Sequence, residues 1–462
     1  MLIKCISTSR HSLKIELYKD KMKYFFLILM FADILAIISC KGLKRFGWFM
    51  AGIFLIHDGI GIQPFGCHTL FLTALFISLW YHKELKIAWK NFPFKWIIIV
   101  ILIIHVLVVQ FDERSYPPLT YISRVYNNFV PRFFSLFLGY ALIDYKRSWG
   151  RYVKPMAIIF LVMTVYGFIT FLLQGNPIDD LVLTSFNQDK GIWSDVQSRG
   201  YRVFSTLSNP IVYSYVMFIA FSYIYIEKKW LTKKTYYLLL VLTLLNAFLA
   251  NSRTGIVAGA ILIAVYAVFE YKVSLRMLGF GVSLLLVLMI LYNNVSFVKD
   301  AMDSVVDIFT TGGENTGGSD VELKQDQLNA ALMYFAQHPY FGNGFYYFVD
   351  VLAPRDMQGD LVGLEGYGYQ LLLEEGIFMI IAVITLFASI ILYFFKRLKV
   401  KQISSMGIAW TVSFVFYLLT AGANGGIFIK GMLFIGMALR YTQLMMPHTK
   451  QQERTSPKIT NN

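Results

Sequence analysis

Uninterrupted apolar runs decide what this chain can fold into. Trp96 to Val109, Leu238 to Ala250 and Leu284 to Tyr292 each pass without one charged residue. A soluble helix needs a polar stripe, so runs this continuous belong in hydrocarbon. Composition points the same way. Of 462 residues, 56% are hydrophobic and only 15% charged, where a soluble chain has about a quarter charged. The expectation is an all-α polytopic membrane protein with about twelve or thirteen transmembrane helices.

The expected spans are Tyr24–Cys40, Phe46–Ile62, Phe65–Tyr81, Phe94–Phe111, Phe133–Ile143, Pro155–Leu173, Pro210–Ile226, Tyr236–Ala250, Gly255–Tyr271, Leu275–Tyr292, Gly366–Phe395, Met406–Leu419 and Ile427–Met445. The second carries His57, Asp58 and several glycines, which weakens it. This divides the chain into a polar leader (1–22), a helix bundle (23–292) with a loop at 174–209, a large loop (293–365), C-terminal spans (366–445) and a tail (446–462). The large loop holds a Gly-rich run, Thr310 to Asp320. It then holds a helical pattern, Val321 to Gln337, with Leu323, Leu328, Leu332 and Phe335 on one side. His338–Pro339 ends that pattern, because a residue before proline avoids helical geometry.

Net charge is +14, but its distribution excludes a nucleic-acid partner. Lys83/Lys86/Lys90, Lys146/Arg147/Arg151/Lys154, Lys228/Lys229/Lys233/Lys234, Lys272/Arg276 and Lys396/Arg397/Lys399/Lys401 fall between alternate spans. Positive loops of that spacing mark the cytoplasmic face. The loops 174–209 and 293–365 then face outward. The cysteines, Cys5, Cys40 and Cys67, form no CxxC or Cys/His spacing, so neither a disulfide framework nor a zinc site is implied. No phosphate-binding loop, dinucleotide fingerprint, HExxH or GxSxG is present. The adjacent Asp179 and Asp180 lack the further ligands a metal ion would need.

What remains is a set of cations on the outer face. Arg199 and Arg202 precede Asn209–Pro210, a helix start whose free N–H groups favour anions. Arg253 sits at a turn between two apolar spans. Its guanidinium either meets an anion or carbonyl there, or snorkels to the lipid headgroups. Asp33, His57, Asp58 and His105 are ionisable residues inside apolar spans, the pattern a transporter would show, yet no internal repeat accompanies them.

Four segments carry a family resemblance. They are Arg202-Val203-Phe204-Ser205-Thr206-Leu207-Ser208-Asn209-Pro210, Asn251-Ser252-Arg253-Thr254-Gly255, Lys324 through Ala336 followed by His338-Pro339-Tyr340-Phe341-Gly342-Asn343-Gly344, and the stretch from Glu365 to Glu374-Glu375-Gly376. In this order they resemble the motifs of the O-antigen ligase and polymerase superfamily, over roughly the C-terminal half. By spacing, the family's loop arginine falls on Lys324 and its ligase histidine on Glu365.

The resemblance implies a GT-C-like, metal-independent glycosyltransferase with no cofactor. It would sit as a multi-pass protein in the inner or plasma membrane. Its substrates would be polyprenyl-diphosphate-linked oligosaccharides, as donor and acceptor. Arg202, Arg253 and Arg199 would bind the diphosphate, Lys324 would assist, and Glu365 would be the base. His338 is either a helix-end packing residue or a further catalytic group. Glu365 in place of histidine favours a polymerase, for O-antigen, capsule or exopolysaccharide, over a ligase. A flippase and a chain-length regulator would be its partners.

Overall fold

The computed structural model describes residues 2–62, 64–144, 150–186, 201–271, 303, 321–355, 357, 359–361, 364, 366–422 and 426–446. Helices α1 (Leu2–Ser39) and α2 (Gly42–Leu55) lead into a short antiparallel pair, Gly61–Ile62 against Phe65–Gly66. The second expected span therefore stops at Leu55, not Ile62. The glycine-rich His57–Gly66 segment turns back on itself instead of continuing the helix. Then come α3 (Cys67–Tyr81), α4 (Leu85–Asn91) and α5 (Lys95–Gln110). Pro93 separates the last two, which are bent by 102° to each other.

Helix α6 (Pro118–Phe129) runs into a π-helical turn (Val130–Phe134) and α7 (Ser135–Leu142). Pro131 withholds a backbone donor there, and the chain widens by a residue instead of starting afresh at Phe133. Next are α8 (Gly150–Leu173), α9 (Pro177–Ser185), α10 (Pro210–Ile226), α11 (Lys233–Leu249) and α12 (Arg253–Glu270). Across the large loop lies α13 (Val321–Gln337). The chain then enters one helical turn (Tyr367–Gln370), a second π-helical turn (Leu371–Glu375), α14 (Gly376–Phe395), α15 (Lys401–Ala421) and α16 (Ile427–Met445).

Among the described residues five helices are long and apolar enough to cross a membrane, and the bent α4–α5 pair would make a sixth. Shorter apolar helices such as Cys67–Tyr81 and Pro210–Ile226 lie among them. The chain is an all-α polytopic membrane protein. Apart from the end of Phe46–Ile62, the expected spans inside the described residues fall on helical segments; Leu275–Tyr292 and the Gly-rich run Thr310 to Asp320 lie outside them.

Without a hydrophobic force between helices in lipid, close backbone contact holds a bundle together. Helices α7 and α16 show this. A Cβ on Gly139 would fall 2.5 Å from the Leu433 carbonyl oxygen, and one on Gly436 would fall 2.2 Å from that of Leu136. Helix α12 lies along α15, running opposite to it, with Phe269 near its far end against Phe395 at 6.2 Å. Arg253 and the last turn of α15 therefore share the end of the bundle away from the lysine clusters, called the outer end below.

Helix α13 keeps its expected bounds but not its expected face. Gln327, Ala331 and Tyr334 are the buried positions, while Leu332 is 43% exposed. Packing against the π-helical turn selects the small Ala331, leaving Leu323, Leu328 and Phe335 half-buried and Leu332 turned outward.

Candidate functional site

The run from Tyr201 to Asn209 is a strap whose hydroxyls are spent on fixing its own path. Ser205 Oγ donates to the Met163 carbonyl at 2.7 Å, and Thr206 Oγ1 to that of Phe54 at 2.6 Å. Asn176 Nδ2 donates to the Ser205 carbonyl at 2.7 Å. Asn209 Oδ1 accepts the Ile211 amide at 2.7 Å and so caps α10, as Asn before Pro predicts. At its other end the strap lies on the α11–α12 turn. The Val203 amide donates to the Leu249 carbonyl at 3.2 Å and Arg202 Nε to that of Ala250 at 3.5 Å.

That turn presents Arg253. Asn251 takes a left-handed φ of 45°, and Ser252 Oγ accepts the Gly255 amide at 3.1 Å. Arg253, the first residue of α12, is mostly buried. The strap and the turn thus bring Arg202 and Arg253 together. Lys324 joins the same end of the bundle. From the first turn of α13 its Nζ donates to the Thr420 carbonyl at 3.0 Å, near the end of α15. One turn earlier on α15, Tyr417 stacks on Tyr215 of α10 at 4.9 Å. Three cations therefore gather where α10, α12 and α15 end.

A second polar group sits beside the strap. Ser208 Oγ donates to Asp58 Oδ2 at 2.7 Å. His57 Nδ1 accepts the Gly59 amide at 3.0 Å, which leaves Nε2 protonated to donate to Asp179 Oδ1 at 2.9 Å. His68 and Lys430 close the group from α3 and α16. A Cβ on Gly426 would lie 2.9 Å from His68 Nδ1 and 3.1 Å from Lys430 Nζ. All these residues are largely buried at the helix ends.

The two late motifs interlock. The Asn343 amide donates to the Leu373 carbonyl at 3.1 Å, the Gly344 amide to that of Glu374 at 3.0 Å, and the Ile377 amide to that of Pro339 at 2.9 Å. Gly342 and Gly376 have φ of 68° and 74°, and a Cβ on either would strike the other segment's backbone within 2.6 Å. The lock holds Glu375 in the bundle, where Arg132 Nη1 pairs with its Oε1 at 2.9 Å. Both partners stand on π-helical turns, and His105 Nε2 lies 3.7 Å from the other carboxylate oxygen. Above the lock, Arg114 binds Asp112 and the Phe345 carbonyl at 2.7–2.9 Å. Arg124 pairs with Asp350 and covers the Tyr116 ring at 4.0 Å. Burial pushes the Tyr116 hydroxyl up to about 12, so it stays protonated.

Of the expected site residues, Arg202, Arg253 and Lys324 are brought to one end. Glu365 and Arg199 lie outside the described residues. Gly366, the neighbour of Glu365, abuts the Leu419 carbonyl, whose oxygen would be 2.9 Å from its Cβ. His338 closes α13: its carbonyl accepts the Gly342 amide at 3.0 Å, and its ring lies 3.9 Å from Glu113. Asp179 is occupied by His57. Sequence reasoning passed over Arg132, Glu375, His68 and Lys430 as site residues. The signal for Lys430 was there, as a charge near the start of a largely apolar span.

Residues 238–369 match the family model described as O-antigen ligase. No curated protein matches the chain. The matched stretch contains Arg253, Lys324 and the His338–Gly344 turn. That match, over 238–369, makes this stretch similar to the O-antigen ligase family and supports a place for the chain in the O-antigen ligase and polymerase superfamily.

Proposed function

We propose that this protein transfers a glycan from a polyprenyl-diphosphate carrier to a sugar hydroxyl of a lipid-linked repeat unit, at the outer face of the inner or plasma membrane. The family match supports glycan transfer of the ligase or polymerase type. The observation that carries the finer reading is the meeting of Arg202 and Arg253 at the α11–α12 turn, with Lys324 on the adjoining helix end. In the reaction the bond from the sugar's anomeric carbon to the diphosphate oxygen breaks, and the diphosphate leaves with the electron pair. The acceptor oxygen bonds that carbon as its proton passes to a base. Fixed cations stabilise the charge growing on the diphosphate, an effect worth roughly 10²–10³ in rate for one well-placed donor. Glu365 is the base in this reading, and its carboxylate at the ligase histidine's place favours polymerisation. A flippase would deliver the substrate, and a chain-length regulator would limit the product.

The test is product length and yield from a lipid-linked repeat unit, in membranes of a strain lacking the protein and complemented with variants. Wild type gives a ladder. Arg253→Ala loses it roughly a hundredfold, and Arg253→Lys keeps part of it, since charge survives without the planar fork. Glu365→Gln abolishes it. A single-step product in place of the ladder would mean a ligase. Unchanged yield from Arg253→Ala would sink the reading.

A further inference from the structure

At the basic end of the bundle, away from the proposed glycan site, a groove of about 580 Å³ opens between α3, α4 and α7. Its walls are aromatic. Phe76 meets Phe134 at 5.8 Å between ring centroids, and Trp89 meets Phe137 at 4.9 Å. Trp80, 67% exposed, stands at its rim. Helix α4 forms one edge. Its 102° bend from α5 turns it across the direction of the span, as a helix lying in the membrane interface would run.

Lys83 and Lys86 line the same groove. Lys83, the second residue past the end of α3, adopts a left-handed φ of 60°, a conformation that costs a side-chain-bearing residue energy. Glu84 stands between them in sequence and would cancel part of their charge. Its carboxylate instead pairs with the buried Arg45. Among the described residues neither Lys83 nor Lys86 pairs with a carboxylate. An aromatic cleft open to lipid, with two uncompensated ammonium groups at one end, complements an amphiphile with an anionic head.

We infer that this groove binds an anionic phospholipid, its phosphate on Lys83 and Lys86 and an acyl chain against Phe76, Phe134 and Phe137. Such a lipid would also anchor α4 at the surface. The inference is independent of the glycan-transfer reading, because the groove shares no residue with that site.

The full chain in nanodiscs of equal parts phosphatidylglycerol and phosphatidylcholine provides the test, with retained lipid counted by native mass spectrometry. Wild type should hold phosphatidylglycerol in preference to phosphatidylcholine. Lys83→Gln/Lys86→Gln should lose that preference roughly thirtyfold, from the attraction typical of two lysines near an anionic headgroup. Lys233→Gln/Lys234→Gln, in another basic cluster, should keep it. Three results would overturn the inference: equal retention of both lipids by wild type, an undiminished preference in the Lys83/Lys86 variant, or displacement of the lipid by millimolar inorganic phosphate.

Discussion

Replacing Gly342 with alanine tests the lock between the two late motifs. The added Cβ would sit in a left-handed conformation, φ 68°, which costs roughly 1–2 kcal/mol. It would also lie 2.3 Å from the Glu374 carbonyl carbon and 2.4 Å from the Glu375 amide nitrogen. Both are backbone atoms, so no side chain can swing away, and overpacking of this kind costs roughly 1–3 kcal/mol more. The sum, roughly 2–5 kcal/mol, raises the open population of the lock about thirtyfold to a few thousandfold, at 1.4 kcal/mol per factor of ten. Hydrogen exchange reads this directly. The Asn343 and Gly344 amides, bonded to the Leu373 and Glu374 carbonyls, should exchange faster in Gly342→Ala by that factor. Gly359 is the control, with φ 46° and no atom within 4 Å of an added Cβ. Gly359→Ala carries only the conformational cost and should leave those amides protected. If Gly342→Ala exchanged there like wild type, the interlocking of the motifs would be refuted.

Arg132→Met should leave Glu375 buried without its guanidinium partner, with only the His105 ring 3.7 Å away, at a cost of roughly 3–5 kcal/mol seen as loss of monodisperse protein on size exclusion, and Arg132→Met/Glu375→Met should recover most of it. Ser252→Ala removes the cap of α12 and Thr232→Ala that of α11. Each should lower stability by about 1 kcal/mol in thermal unfolding, but only Ser252→Ala, beside Arg253, should also lower glycan transfer.

The spans were legible because hydrocarbon tolerates no compromise over long stretches, so Lys95–Gln110 or Gly376–Phe395 announces itself by apolarity alone. Helix caps were legible for a local reason: Asn209 before Pro210 satisfies amides two and three residues on. The pairing of Arg132 with Glu375 was not, since 243 residues separate them and each stands on a π-helical turn that no periodicity announces. The buried face of α13 was misread for a similar reason. A leucine stripe predicts a face that meets a flat apolar partner, whereas this helix meets a bulged turn with Gln327, Ala331 and Tyr334. Lys430 and His68 become site candidates only once Gly426 lets the two side chains approach from different helices.

The four motif segments divide into two physical kinds. Gly342 and Gly376 are explained by backbone contact and positive φ, and Gly344 by positive φ and the Asp112 side chain packed against it. Ser205 and Thr206 of the strap are explained by the carbonyls they bind, and Ser208 by the Asp58 carboxylate. Arg202, Arg253 and Lys324 are of a different kind: Arg202 and Lys324 donate to the Ala250 and Thr420 carbonyls, and three cations at one end of an apolar bundle are each costly to place there. A segment conserving fold should fail, when altered, by losing folded protein, and a segment conserving chemistry should fail while the protein remains intact. Measuring folded yield beside polymer yield for Gly342→Ala and Arg253→Ala separates the two kinds. The first should reduce both together, and the second should reduce polymer alone. If Arg253→Ala lost folded protein in proportion to polymer, the arginine would belong with the scaffold, and the cation site would have to be sought elsewhere, first around Lys430 and His68.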